Sequence, residues 1–118
     1  MKIYSAETWT LKELEDQVQD AGRRVLVIPA ADTKRTVLQT FGEVLDTPEL
    51  DGMDLDDLND SLHELADTVT DGGQLPVTII WQVRGVFRAD RNFGVVCEIL
   101  QDAESYAGKD LAVIAVCQ

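Results

Sequence analysis

The chain of 118 residues is poor in cysteine, histidine and aromatic residues, and poorer still in basic residues over one long stretch. Its two thiols, Cys97 and Cys117, are too few and too far apart for a zinc site or a disulfide framework. They read as reduced structural thiols, with a bridge between them as the open alternative. No apolar run approaches the roughly 20 residues that span a bilayer. The opening Met1-Lys2-Ile3-Tyr4-Ser5-Ala6-Glu7 lacks the apolar core of a secretory signal, so the expected compartment is the cytoplasm. No P-loop, dinucleotide fingerprint or nucleophile elbow occurs. Ser61 and His63, adjacent but one, lie about 200° apart on a helix and cannot form a nucleophile–base pair. No catalysis and no cofactor are expected.

Basic residues number 10 against 22 acidic ones, a formal net charge of −12. Nucleic acid and anionic membrane surfaces are therefore disfavoured as partners, because affinity for phosphate comes largely from Lys and Arg. The deficit is local. Between Arg35 and Arg84 there is no Lys or Arg, while that stretch holds eleven Asp and Glu, half of the total.

What remains is the composition of a folded protein, 45% hydrophobic and 27% charged. Its length fits a single compact domain. Thr10-Leu11-Lys12-Glu13 has the capping-box spacing, and Leu11, Leu14 and Val18 follow at helical intervals up to Asp20, with Gly22 as the stop. Arg23-Arg24 lead into Val25-Leu26-Val27-Ile28, an apolar run expected as a strand buried on both faces. Asp32 or Thr33 caps a second helix with Val37, Leu38, Phe41, Val44 and Leu45 inward. Thr47-Pro48 and Gly52 break the chain before a third helix at about 54–67, and Asp71-Gly72-Gly73 is a turn. Pro76 to Trp81 is a second strand, and residues 82–91 are a polar segment containing Phe87 and three arginines. A helix from about Asn92 to Tyr106 places Val95, Val96, Ile99, Leu100 and Ala103 inward, and Leu111 to Val116 is the third strand. Helices alternating with apolar strands predict an α/β fold with a small three-stranded parallel sheet. Residues 1–22 are expected to form an added N-terminal helical extension to a domain over 23–118.

The third helix carries the charge. On a 100° wheel, Leu55, Leu58, Leu62, Leu65 and Ala66 share one face, which must be the core side. Asp56, Asp60, His63 and Asp67 form a neighbouring stripe, with Asn59 at the border. Asp54 suits the N-cap, and Asp56 and Asp57 suit the positive end of the helix dipole. That does not account for Asp60, Glu64 and Asp67, which lie beyond the first turn. Asp56 and Asp60 stand at i and i+4, where like charges repel by a few tenths of a kcal/mol. Asp51, Asp54, Asp56, Asp57 and Asp60 lack the ligand spacing of an EF-hand loop, so no metal is expected. The stripe fits a positively charged macromolecule better than a metal. Arg84, Arg88 and Arg91 read as solvated or as balancing acids of the same molecule, with self-association the sharper alternative. Trp81 reads as core and Trp9 as docking the N-terminal helix.

Residues 47–62, Thr-Pro-Glu-Leu-Asp-Gly-Met-Asp-Leu-Asp-Asp-Leu-Asn-Asp-Ser-Leu, resemble the signature of the barstar family, intracellular inhibitors of guanyl-preferring ribonucleases such as barnase. That signature runs Pro, an aromatic pair, Gly, two variable positions, Leu-Asp-Ala-Leu, a variable residue, Asp, a small residue and Leu. Pro48, Gly52, Leu55, Asp56, Leu58, Asp60 and Leu62 occupy matching positions. The family's order of elements is likewise reproduced from Val25 to Val116. The resemblance implies that a loop and an acidic helix enter a basic ribonuclease or nuclease toxin. The loop would contribute Leu50, Asp51 and Gly52, and the helix Asp54, Asp56, Asn59, Asp60 and His63. Asp60 would take the position of a substrate phosphate against Arg and Lys of the enzyme. Asp56 matches a second interface acid and Asp102 a third. Long-range attraction would speed the encounter, an effect for which this family's own enzyme–inhibitor pair is the standard illustration. Two departures bear on the target. Leu50 and Asp51 replace the aromatic pair, and Asn59 stands where the founding inhibitor has an aromatic residue. The alternative is an acidic interaction module of the same fold without inhibitory activity. A monomer is expected, though the sequence leaves the oligomeric state open.

Overall fold

The three apolar runs pair side by side in one direction, and a fourth, shorter strand joins them. In the computed structural model, which describes residues 1–46, 54–71 and 75–118, these are β1 (Lys2–Ser5), β2 (Arg24–Ile28), β3 (Val77–Val83) and β4 (Leu111–Cys117). The sheet is wholly parallel, in the order β1-β4-β3-β2. Among the described residues five helices accompany it: α1 (Leu11–Asp20), α2 (Lys34–Val44), α3 (Leu55–Thr70), α4 (Gly85–Arg88) and α5 (Arg91–Ala107). The α/β parallel architecture stands as expected, with four strands in place of three.

The additional strand corrects the view of residues 1–22 as helical only. Lys2-Ile3-Tyr4-Ser5 is too short for its alternation to signal a strand. Its pairing of Lys2 with Ile114 through Ser5 with Cys117 depends on a partner more than a hundred residues away. The helical part is as expected: Thr10 Oγ1 accepts from the Glu13 amide at 3.2 Å, and Gly22, at φ +78, follows the end of α1. A second correction concerns β2. Only Ile28 of this strand is fully buried, because β2 is the last in the order and one side of it is open among the described residues. The central β3, by contrast, buries every residue but Gln82.

Alternation along β3 and β4 divides the interior into two layers. Ile80 and Val116 meet Leu14 of α1, with the rings of Tyr4 and Trp9 beside them, tilted at 44° with centroids 5.7 Å apart. Val77, Ile79, Trp81 and Val83, with Leu111, Val113, Ala115 and Cys117, face the opposite way and are covered by α2, α3 and α5. Trp81, 1% exposed, contacts Phe41, Phe87 and Phe93, as its reading as core requires. The polar 82–91 segment is more regular than expected: β3 continues to Val83, and α4 follows because Phe87 packs edge-on to Trp81. In α5 the buried face is centred on Val96, Ile99, Leu100 and Ala103. Val95, expected inward, falls outside that arc and is 39% exposed.

Polar stitches fix the layers. Arg23 donates from Nε to Thr78 Oγ1 at 2.7 Å, and from its two terminal nitrogens to the carbonyls of Val77 and Lys109 at 2.9 Å each, tying β3 to the start of β4. Glu104 of α5 accepts the Val113 amide at 2.8 Å. No helix among the described residues is long and apolar enough to cross a membrane.

Candidate functional site

The start of α3 is set by a reciprocal cap. Asp54 Oδ1 accepts the Asp57 amide at 3.0 Å, and Asp57 Oδ2 accepts the Asp54 amide at 3.2 Å. The two carboxylates satisfy donors that a helix N-terminus otherwise leaves open, and they stabilise the positive end of the dipole. Asp54, a candidate contact from the sequence, is thus first a cap. The inward face holds Leu58, Leu62 and Ala66 at 0% exposure with Val69 beyond them, while Leu55 and Leu65 pack at its margin. Burial of three apolar side chains, worth about 1.5–3 kcal/mol for each large one, holds the helix rigid and fixes which side meets solvent. α3 continues three residues past the expected end, to Thr70.

The outward stripe divides into an engaged half and an open half. Asp67 Oδ1 accepts the Tyr106 hydroxyl of α5 at 2.6 Å. That bond, reinforced by the carboxylate's charge, raises the pKa of Tyr106 above its usual value. His63 is half-buried, its ring 5.2 Å from that of Tyr106. Its Nδ1 lies 2.8 Å from the Asn59 carbonyl oxygen, which can only accept, so Nδ1 carries the hydrogen. Asp56 and Asp60 are exposed, one turn apart, and among the described residues neither has a hydrogen-bond or ion-pair partner. Asp102 on α5 is also exposed and has no partner among the described residues, one turn before Tyr106 on the same side of that helix. The structure therefore brings Asp56, Asn59, Asp60 and His63 together on α3 and sets the Asp102 helix beside them. Leu50, Asp51 and Gly52, like Thr47-Pro48 and the Gly72-Gly73 turn, lie outside the described residues.

Tyr106 was not among the residues that the sequence singles out for this face. Its position near the end of α5 signals only a helix terminus, and nothing local indicates that it reaches α3. The acids are exposed on the outer side of α3. A cleft of about 410 Å³ lies on the opposite flank of α3, between β2 and the end of α2, and neither Asp56 nor Asp60 lines it. Ser61 faces that cleft and His63 faces Tyr106, so the two point apart as expected.

The other candidates are structural or solvated. Cys97 and Cys117 are free and buried; burial, then the nearby Cys117, pushes the Cys97 thiol up to about 11. Burial raises Cys117 as well, against the opposing pull of Arg88. Arg84 pairs with Asp32 at 3.3 Å, with both side chains more than half exposed, a geometry worth little.

No curated protein and no solved structure matches the chain. One family description, "Barstar (barnase inhibitor)", matches residues 23–117, from the start of β2 to the end of β4 and across both helices that carry the unpaired acids. The chain belongs to the barstar family.

Proposed function

We propose that the protein is a cytoplasmic inhibitor that occupies the active site of a basic, guanyl-preferring ribonuclease or nuclease toxin. The observation that carries this reading is the unpaired pair Asp56 and Asp60. They repel each other, have no partner among the described residues, and sit on a helix fixed from behind by buried leucines. A groove built for a phosphodiester supplies what they lack, namely guanidinium and ammonium groups preset for anions. Asp60 stands in for a substrate phosphate, accepting charge-assisted, bidentate contacts from arginine. Asp56 and Asp102 extend the negative surface to either side. Because α3 is already ordered, docking does not require the helix to form, and little conformational entropy is lost. The masked catalytic groups stay blocked for as long as the complex lasts. The protein itself performs no chemical step in this role.

Asn59, with Leu50 and Asp51 earlier in the sequence, favours a target shaped differently from that of the founding inhibitor. It also keeps in view the second reading, an interaction module without inhibition. Titration of a barnase-type ribonuclease separates the two. Inhibition is expected to reach completion near equimolar protein and to vanish for Asp60→Ala, whose thermal unfolding should match the parent. Capture of a nuclease whose activity stays intact would support the module instead.

A further inference from the structure

The docking helix lacks the aromatic residue that commonly supplies much of an interface's energy. The structure offers one from a neighbouring element. Tyr106 of α5 is 58% exposed, yet it is held at both ends. Its hydroxyl donates to Asp67 at 2.6 Å, and its ring lies 5.2 Å from the His63 imidazole at an interplanar angle of 56°. His63 is fixed in turn by its bond to the Asn59 carbonyl. An exposed tyrosine ordinarily samples several rotamers, and this one is ordered before any partner arrives. A preset ring loses little entropy on docking, which is the property of a good interface anchor.

The surroundings select what such a ring accepts. Asp67 lies against its hydroxyl, and Asp102 stands one turn away on the same side of α5. An apolar partner would have to desolvate those carboxylates without compensation. A guanidinium meets both demands: its plane stacks on the ring while its edge donates to a carboxylate. An ammonium offers the charge but not the planar stacking surface.

We propose that Tyr106, held by His63 and Asp67, is the aromatic anchor of the docking face and seats an arginine of the partner by stacking. The proposal rests on the reading of α3 as the nuclease-docking helix. It extends the face from α3 to the C-terminal half of α5 and makes Asp67 and His63 positioning residues for that ring.

The test is the affinity of the full chain for the ribonuclease it inhibits, compared across Tyr106→Leu, Tyr106→Phe and Asp60→Ala. Tyr106→Leu keeps apolar bulk and loses the π face, and is expected to weaken binding about tenfold. Tyr106→Phe keeps the ring and loses the bond to Asp67, with a smaller expected loss of about threefold. All variants should unfold at the parent's temperature, since the side chain is exposed. Undiminished binding by Tyr106→Leu, with Asp60→Ala still inactive, would overturn the anchor and leave the docking reading standing. Equal losses for Leu and Phe would overturn the stacking assignment. A parent chain that inhibits no such ribonuclease would remove both.

Discussion

At the scale of single residues, charge has two different duties in this protein, and the hydrogen-bond geometry separates them. Arg23 is structural: one guanidinium serves Thr78, which is buried, the Val77 carbonyl of β3 and the Lys109 carbonyl in the turn before β4. Replacing it with Ala strands those acceptors and should lower stability by about 2 kcal/mol, read as a reduced urea midpoint with an unchanged slope. Arg23→Lys should recover little, because an ammonium does not reproduce the three-way fork. Asp56 and Asp60 are the reverse case, charges with no internal partner among the described residues. The cysteines make a third kind of residue. Cys97 stays protonated in the fold until about pH 11, whereas an exposed thiol ionises near its ordinary 9.0. Its contribution to stability is therefore intact below pH 9 and lost between 9 and 11, as the unfolded chain alone becomes charged. Over that interval the parent should lose more stability than Cys97→Ala, measured by denaturant unfolding at each pH.

At the scale of elements, α3 shows how a cap and a core face together leave a third face free. Asp54 and Asp57 satisfy the first turn, so Asp56 and Asp60 are not needed there. Asp54→Ala should cost about 1 kcal/mol of stability, seen in thermal or urea unfolding. Much of this element was legible in advance. The leucine spacing gave its buried side, and Asp54 announced its start. The acids of α3 stand where the helical wheel put them. The elements that escaped were those whose formation depends on distant partners. β1 has four residues and exists because β4 offers an edge. α4 forms because Phe87 finds Trp81. β2 read as fully buried since its run is uniformly apolar, and composition does not distinguish an edge strand from a central one. Tyr106 was invisible for the same reason: its contact with Asp67 spans 39 positions of chain.

At the scale of the whole molecule, the net charge of −12 is unevenly placed, and the fold keeps it so. Arg91 opens α5 and Tyr106 stands near its close, so about 22 Å of helix separates Arg91 from the corner where Asp67 meets Tyr106. A basic partner approaching such a charge distribution is oriented before contact, and the acids of α3 meet it first. On the proposed reading, the fold contributes rigidity and placement, and recognition rests on carboxylates that have no partner among the described residues. The substitution that isolates this claim is Asp60→Asn, which preserves shape and helix while deleting one charge. Its dissociation constant for an inhibited ribonuclease should rise on the order of a hundredfold, the consequence of leaving a buried cationic group about 3 kcal/mol short of its partner. If Asp60→Asn inhibits as tightly as the parent chain, the carboxylate does not imitate a phosphate and the account is wrong.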